Sequence, residues 1–265
     1  MIEPILHRLS PAYPWADRFH CYESIDSTND EAKRRALSGA PHGTVILAEH
    51  QTRGHGRMGR SFHSPRRQGV YLSLLLRPNC HPAELMHLTC AAAVAACDAA
   101  EITAGFRPGI KWTNDLVSGR KKLGGILTGV GLSSSGKIDY AIIGIGINCN
   151  QKEDDFPSDI QNMATSLSIS AGHEIDRYSF AAALMESLYR MDNHLIAGKT
   201  EILRRYRRDC ITLGQEIQLV RGEEKRFGKA IEIDENGALI VSFADGKTET
   251  VNSGEVSVRG MYGYL

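Results

Sequence analysis

From Thr212 to Val258 the chain holds only short runs of alternating apolar and polar residues, at 216–220, 227–233, 238–243, 247–251 and 255–258. Asn236-Gly237 and Asp245-Gly246 stand between runs, and such pairs supply the positive φ that tight hairpin turns demand. Strands this short and this closely spaced restrict the stretch to a small all-β unit, a barrel of SH3 type over residues 212–265. Before Thr212 the pattern is different. Apolar runs at 19–25, 44–49, 69–76, 109–112, 125–130 and 138–147 read as strands, and 82–100, 177–197 and 201–209 read as helices. A further helix follows Ser27, read as its N-cap with Asp30 closing a capping box and Gly39 ending it. The predicted fold class is therefore α/β (α+β), with a mixed-sheet domain over residues 1–211.

Composition narrows the function. Lysine plus arginine equals aspartate plus glutamate at 31 each, which argues against a nucleic-acid coat or a polybasic membrane binder. The distribution is uneven: no acid occurs from His50 to Ala83, where Arg53, Arg57, Arg60, Arg66, Arg67 and Arg77 all fall. A local anion site in a neutral protein points to a phosphate-bearing small molecule. The apolar run 91–97 is far shorter than the roughly 20 residues of a membrane span, and Glu3 with nearby prolines is unlike a secretion signal. A cytoplasmic protein is expected, with its six scattered cysteines reduced and packed as small hydrophobes. No spacing of histidines and cysteines suggests a metal site.

Four motifs carry chemistry. Residues 54–60 match GxGxxG and follow a strand, but Pro65 and Gly69 preclude the helix that a dinucleotide fingerprint opens, and no acid follows before Glu84. What remains is a glycine loop carrying arginines, either an anion cradle or a flexible basic surface loop. Lys111, Asn114, Asp115 and Lys122 cluster at strand ends, as a site or as a solvated hairpin with a salt bridge. Gly144 and Gly146 in an apolar strand mean a close approach to its backbone or a bulge, with Asn148 as a ligand amide or a turn residue. Ser27, Thr28 and Asn29 bring hydroxyls and an amide to a helix start, for capping or for binding.

Together and in this order, Ser27-Thr28-Asn29, Gln51, the loop 54–60, 111–115, 122–127 and 144–148 resemble the biotin–protein ligases (biotin–acetyl-CoA-carboxylase ligases), in the form without an N-terminal DNA-binding domain. Phe156-Pro157 and 164–167 are similar to that family too, and the resemblance runs over roughly residues 20–260. It implies a mixed-sheet biotin/lipoate ligase domain with an SH3-like tail. The implied reaction activates biotin with ATP to biotinyl-5′-AMP, then transfers biotin to a lysine of a biotin carboxyl carrier domain. Mg²⁺ is implied as the companion of ATP. Ser27, Thr28, Asn29, Gln51, His55, Gly56, Arg57, Lys122 and Gly125 are implied around biotin. Arg57, Arg60, Lys111, Asn114 and Asn148 are implied around the nucleotide. Arg57 and Lys122 would stabilise charge, and Asp115 would orient the incoming amine. The sequence departs from the family pattern at His55 (usually arginine, so a phosphate contact is weakened or made pH-dependent), at Phe62 (usually tryptophan) and at Thr113 (usually proline, so the turn is loosened). The short stretch before Phe19 leaves no room for a DNA-reading domain, so no DNA partner is expected; a homodimer is compatible with the resemblance. A lipoate–protein ligase and an RNA-binding module are the alternatives.

Overall fold

A computed structural model describes residues 2–221, 223–252 and 255–258. Its helices are α1 (Ile2–Leu6), α2 (Thr28–Leu37), α3 (Leu88–Ala104), α4 (Leu167–Ala171), α5 (Arg177–His194) and α6 (Lys199–Asp209). Its strands are β1 (Phe19–Tyr22), β2 (Thr44–Ala48), β3 (Gly69–Leu76), β4 (Gly109–Lys111), β5 (Asp115–Ser118), β6 (Lys121–Leu132) and β7 (Ile138–Asn148), then β8 (Glu216–Arg221), β9 (Glu224–Ile233), β10 (Leu239–Phe243), β11 (Thr248–Val251) and β12 (Glu255–Val258). The first group forms one sheet in the order β1-β2-β3-β7-β6-β5-β4, and the second forms another in the order β11-β10-β9-β8-β12. Only β1 and β2 pair in parallel, so the large sheet is mixed and the small one antiparallel, as expected. The stretch 259–265, included in the expected second domain, lies outside the described residues.

The period of two along β3 divides the molecule. Leu72, Leu74 and Leu76 point into the main core beside α3 and α5, whereas Leu75 packs with Ala32 and Ala36 of α2 on the other face. Alanines at 91–93, 95–96 and 99–100 are buried, so α3 lies close against its neighbours. The run 91–97 is thus part of a longer apolar segment than the sequence reading allowed. Pro82–Ala104 is long and apolar enough to cross a membrane by length and composition, but 72% of its apolar window is buried inside this fold. Here the segment is a core helix.

Other boundaries move for identifiable reasons. The run 19–25 gives only four strand residues, and Ile25 makes a lone parallel bridge to Gln51. The sequence reading missed β5, which turns into β6 through Gly119 at φ 59°. It also missed α1 and α4, each five residues long. Helix α2 begins after Ser27 as expected, but the box with Asp30 does not close, because the Ser27 N–H donates to Asp26 Oδ1 at 2.8 Å. The arginines of α6 are not an anion patch. Arg204 pairs with Glu201, Arg205 with Asp98 and Arg208 with Asp209, while Arg207 donates to the Ile233 carbonyl at 2.8 Å.

Trp112 ties the small β unit to the edge of the large sheet, and Tyr206 of α6 holds the same turn. The Trp112 backbone N–H donates to Thr212 Oγ1 at 2.9 Å, and its indole Nε1–H donates to the Gly237 carbonyl at 3.0 Å. Tyr206, fully buried, donates to the Thr113 carbonyl at 3.0 Å. The turn that Thr113 was expected to loosen is therefore held from three sides, and the Trp112–Thr113 peptide bond in it is cis.

Candidate active site

Every residue that the resemblance implies around biotin or the nucleotide lines one cavity of about 480 Å³ on the α2 face of the large sheet, whereas Arg53, Arg66, Arg67 and Arg77 of the expected anion site lie outside it and pair with Asp26, Glu23, Glu23 and Asp139. Its neutral end is built at the start of α2. Ser27 caps the helix, accepting the Asp30 N–H at 3.4 Å. Gln51, just beyond β2, accepts the Thr28 N–H at 2.8 Å through Oε1 and lies 3.1 Å from Thr28 Oγ1. Its Nε2 donates to Ser64 at 3.0 Å, which fixes the orientation of the amide. Asn29 Nδ2 donates to the Leu127 carbonyl at 3.3 Å, and its Oδ1 lies 2.6 Å from Ser73 Oγ. Ser73 was read only as part of an apolar strand, and no local signal marked it, because its partners are far away in sequence.

The floor is made of strand residues without side chains. On β7, Gly144 lies opposite Ser73 and Gly146 opposite Tyr71. A β-carbon at Gly144 would meet Asn29 Oδ1 at 2.1 Å, and one at Gly146 would meet the Phe62 ring at 2.6 Å. The two glycines thus admit this chain's own side chains. Phe62, in the place of the family's tryptophan, leans edge-on toward Tyr71 with ring centroids 6.3 Å apart.

The roof is the glycine loop, folded as a small hairpin. Phe62 N–H donates to the Gly54 carbonyl at 2.8 Å and Gly56 N–H to the Arg60 carbonyl at 2.7 Å. Its foot is tied down by Glu49, almost wholly buried and paired with Arg177 at 2.9 Å. At the tip, Arg57 Nη1 donates to Asn114 Oδ1 at 3.0 Å, spanning the cavity from loop to sheet. His55 faces α2, with Nε2 3.8 Å from Asp30 Oδ1. Asp26 beneath the loop is held well below the usual carboxylate range, chiefly by hydrogen bonds from Arg34.

The charged end comes from β4, β5 and β6. Lys122 Nζ lies 2.7 Å from Asp115 Oδ1, and Lys111 is buried beside them in the wall. Asn114 Nδ2 donates to the Ile126 carbonyl at 3.0 Å, which holds the strand turn in place. Asn148 has both amide atoms engaged: Nδ2 donates to the Thr165 carbonyl at 3.0 Å and Oδ1 accepts from Gln151 at 3.1 Å. It shapes the wall by anchoring the segment that follows. That segment brings Phe156, Ile160, Met163 and Ala164 to the cavity as an apolar side, which was not predicted as part of the site.

The chemistry available is polar and electrostatic. Burial pushes the Cys90 and Cys149 thiols up to about 12, so they stay protonated and inert near neutral pH. All six cysteines are free. Among the described residues no cluster of histidine, cysteine, aspartate or glutamate could hold a metal by itself. A cavity with hydroxyls and amides at one end and Arg57, Arg60, Lys111 and Lys122 at the other suits a long ligand with a neutral polar head and an anionic tail.

Comparison with known proteins agrees with that geometry. A model of the biotin/lipoate A/B protein ligase family matches residues 21–148, and one of the biotin protein ligase C-terminal domain matches residues 212–259. The bifunctional ligase/repressor BirA of Bacillus subtilis is 36% identical over 228 residues, covering 85% of this chain and 69% of that one. The biotin–[acetyl-CoA-carboxylase] ligase of Mycobacterium tuberculosis is 30% identical over 236 residues, covering 87% and 85%. Among solved structures, the biotin protein ligase of Aquifex aeolicus in complex with biotin and ATP superposes with a TM-score of 0.76 at 29% identity, covering 91% of this chain and 98% of that one.

Proposed function

The chain belongs to the biotin/lipoate A/B protein ligase family, and from that premise we infer that it is an ATP-dependent biotin–protein ligase whose catalytic unit is residues 1–211 and whose small β unit is residues 212–265. The observation that carries the reading is the single cavity with its hydroxyl–amide end and its cationic end. In the first step a biotin carboxylate oxygen attacks the α-phosphorus of ATP, the bond to the bridging oxygen breaks, and pyrophosphate leaves. In the second the lysine amine of a biotin carboxyl carrier protein attacks the acyl carbon, the carbon–oxygen bond to phosphate breaks, and AMP leaves with the amine proton released.

Neither step needs a nucleophile from the enzyme, so the residues act by placement and charge. Ser27, Thr28, Asn29 and Gln51 hold the neutral ring, Gly125 leaves room above the floor, and His55 and Gly56 close the roof. Arg57 and Lys122 stabilise the carboxylate and α-phosphate as charge builds. Arg60, Lys111 and Asn114 face the remaining phosphates, and Asn148 sets the wall beside the nucleotide. Asp115 orients the incoming amine; its present partner is the Lys122 ammonium 2.7 Å away, a cation of the same kind. Mg²⁺ would be carried on the phosphates of ATP, with Asp115 as a carboxylate that could help hold it, and would supply screening of the phosphate charge.

The partner is the carrier protein. Before β1, helix α1 packs near α5. A homodimer is proposed through the part of β6 beyond Ile126, which has no further strand beside it among the described residues; sedimentation velocity reads it. The cytoplasm, which supplies ATP and the carrier, is the proposed location. No feature of the cavity favours lipoate or RNA. The test is biotin-dependent exchange of labelled pyrophosphate into ATP. Exchange is expected, and a folded enzyme that shows none overturns the reading.

A further inference from the structure

Ser73 is a polar residue, 0% exposed, in the middle of the apolar strand β3. A hydroxyl is buried there at a cost unless it is fully bonded. Its Oγ lies 2.9 Å from Thr28 Oγ1 and 2.6 Å from Asn29 Oδ1, and Thr28 Oγ1 lies 3.1 Å from Gln51 Oε1.

The direction of these bonds follows from their ends. The Thr28 backbone N–H can only donate, so the Gln51 atom facing it is the carbonyl oxygen. The Leu127 carbonyl can only accept, so the Asn29 atom facing it is the nitrogen and the one facing Ser73 is the oxygen. Both outer ends of the chain Gln51–Thr28–Ser73–Asn29 are therefore acceptors. Between them stand three oxygen–oxygen contacts and only the two hydroxyl hydrogens of Thr28 and Ser73. The short 2.6 Å contact takes the Ser73 hydrogen. The Thr28 hydrogen serves Gln51 or Ser73, and one contact is left without a hydrogen.

The network is thus one donor short, and a ligand that brings an N–H relieves it. Thr28 and Asn29 line the cavity, whereas Ser73 lies behind them. We propose that Ser73 is a positioning residue that sets the substrate selectivity of the cavity: by donating to Asn29 Oδ1 it holds the Asn29 amide with its nitrogen toward the Leu127 carbonyl and keeps an acceptor at Thr28, so that a ring bearing N–H and C=O groups is bound and a cyclic disulfide ring, which has no N–H, is not. The proposal rests on the biotin reading above and adds to it the residue that enforces the choice. Without the Ser73 hydroxyl, the Asn29 amide can rotate and present either edge, and the donor–acceptor pattern facing the ring is lost.

The test uses the whole protein with Ser73→Ala and Ser73→Cys. Cysteine nearly matches serine in shape but donates weakly. Pyrophosphate exchange is measured with biotin and with lipoate, and biotin binding is measured by calorimetry. If the hydroxyl hydrogen matters, both variants should show a biotin KM and Kd raised about tenfold, the size of one well-placed hydrogen bond. The KM for ATP should stay put, and the preference for biotin over lipoate should fall. If Ser73 only fills space, Ser73→Cys will behave as the parent, and that result overturns the proposal. So does a change in which the KM values for biotin and ATP rise together, or an unchanged biotin preference. Should Ser73→Ala fail to fold, Ser73→Cys decides alone. Absence of exchange with either acid in the parent enzyme would instead refute the biotin reading, whereas the calorimetric comparison of the variants would still judge Ser73.

Discussion

Replacing Gly144 by alanine tests how the floor of the cavity works. The new β-carbon would stand 2.1 Å from Asn29 Oδ1 and 2.5 Å from its Cγ and Nδ2. Carbon and oxygen cannot approach so closely, and Asn29 sits in the first turn of α2, where its backbone cannot retreat. Its side chain must swing away from Ser73 at 2.6 Å and Leu127 at 3.3 Å, so two hydrogen bonds are lost. At about 1 kcal/mol each this is roughly 2 kcal/mol of stability, and biotin Kd should rise as well because the displaced Asn29 amide no longer faces the ring. Crowding a packed site also lowers stability by about 1–3 kcal/mol. Gly129→Ala is the matched control: it lies on the neighbouring strand β6, and a β-carbon there meets nothing within 4 Å. Calorimetry with biotin and urea unfolding measure both variants. Wild-type affinity in Gly144→Ala, or equal damage from Gly129→Ala, would refute the account of the floor.

Arg57→Ala should leave melting unchanged, because the loop tip is outside the core, while removing a donor to developing charge; losses of about 10² to 10³ in rate are expected. The same variant should release biotinyl-AMP faster and label bystander albumin, and an unchanged off-rate with no stray labelling would withdraw the clamp role. Thr212→Val leaves the buried Trp112 N–H without an acceptor and should lower stability by about 1–3 kcal/mol in urea unfolding; it should also slow adenylation, since Trp112 lies between Lys111 and Asn114. His87 is fully buried, and burial lowers its pKa below the ordinary 6.5, so its protonation opposes the fold. The stability linked to it is complete above that value and lost as pH falls through it. His87→Gln should flatten the dependence of unfolding free energy on pH just below the ordinary histidine value, and an unaltered slope would show that another group titrates there.

Much of this site was legible because the chemistry sits in short local patterns. Two glycines in the apolar run before Asn148 announced a close approach to the strand, and the structure puts Asn29 and Phe62 there. Of the six arginines in the stretch without acids, Arg57 and Arg60 line the cavity, while the other four pair with acids distant in sequence, which no local pattern could show. What could not be read depends on partners distant in sequence. Ser73 looks like a minor break in a leucine-rich strand until β3 is laid beside α2. The apolar side from Phe156 to Ala164 has no period of its own, and Lys122 fixes its end by accepting the Thr165 N–H at 2.8 Å. Helix α1 was missed because five residues, one of them proline, carry too little periodicity to show.

The two Trp112 bonds also have a consequence for synthesis on the ribosome. Lys111, Asn114 and Asp115 emerge before the chain is half made, yet the acceptors for the Trp112 N–H groups are Thr212 and the carbonyl of Gly237. A nascent chain that has reached the end of α6 can already pair the large sheet and still lacks what holds this edge turn. That edge turn therefore gains its last hold only after Gly237 has been made, later than the completion of the large sheet.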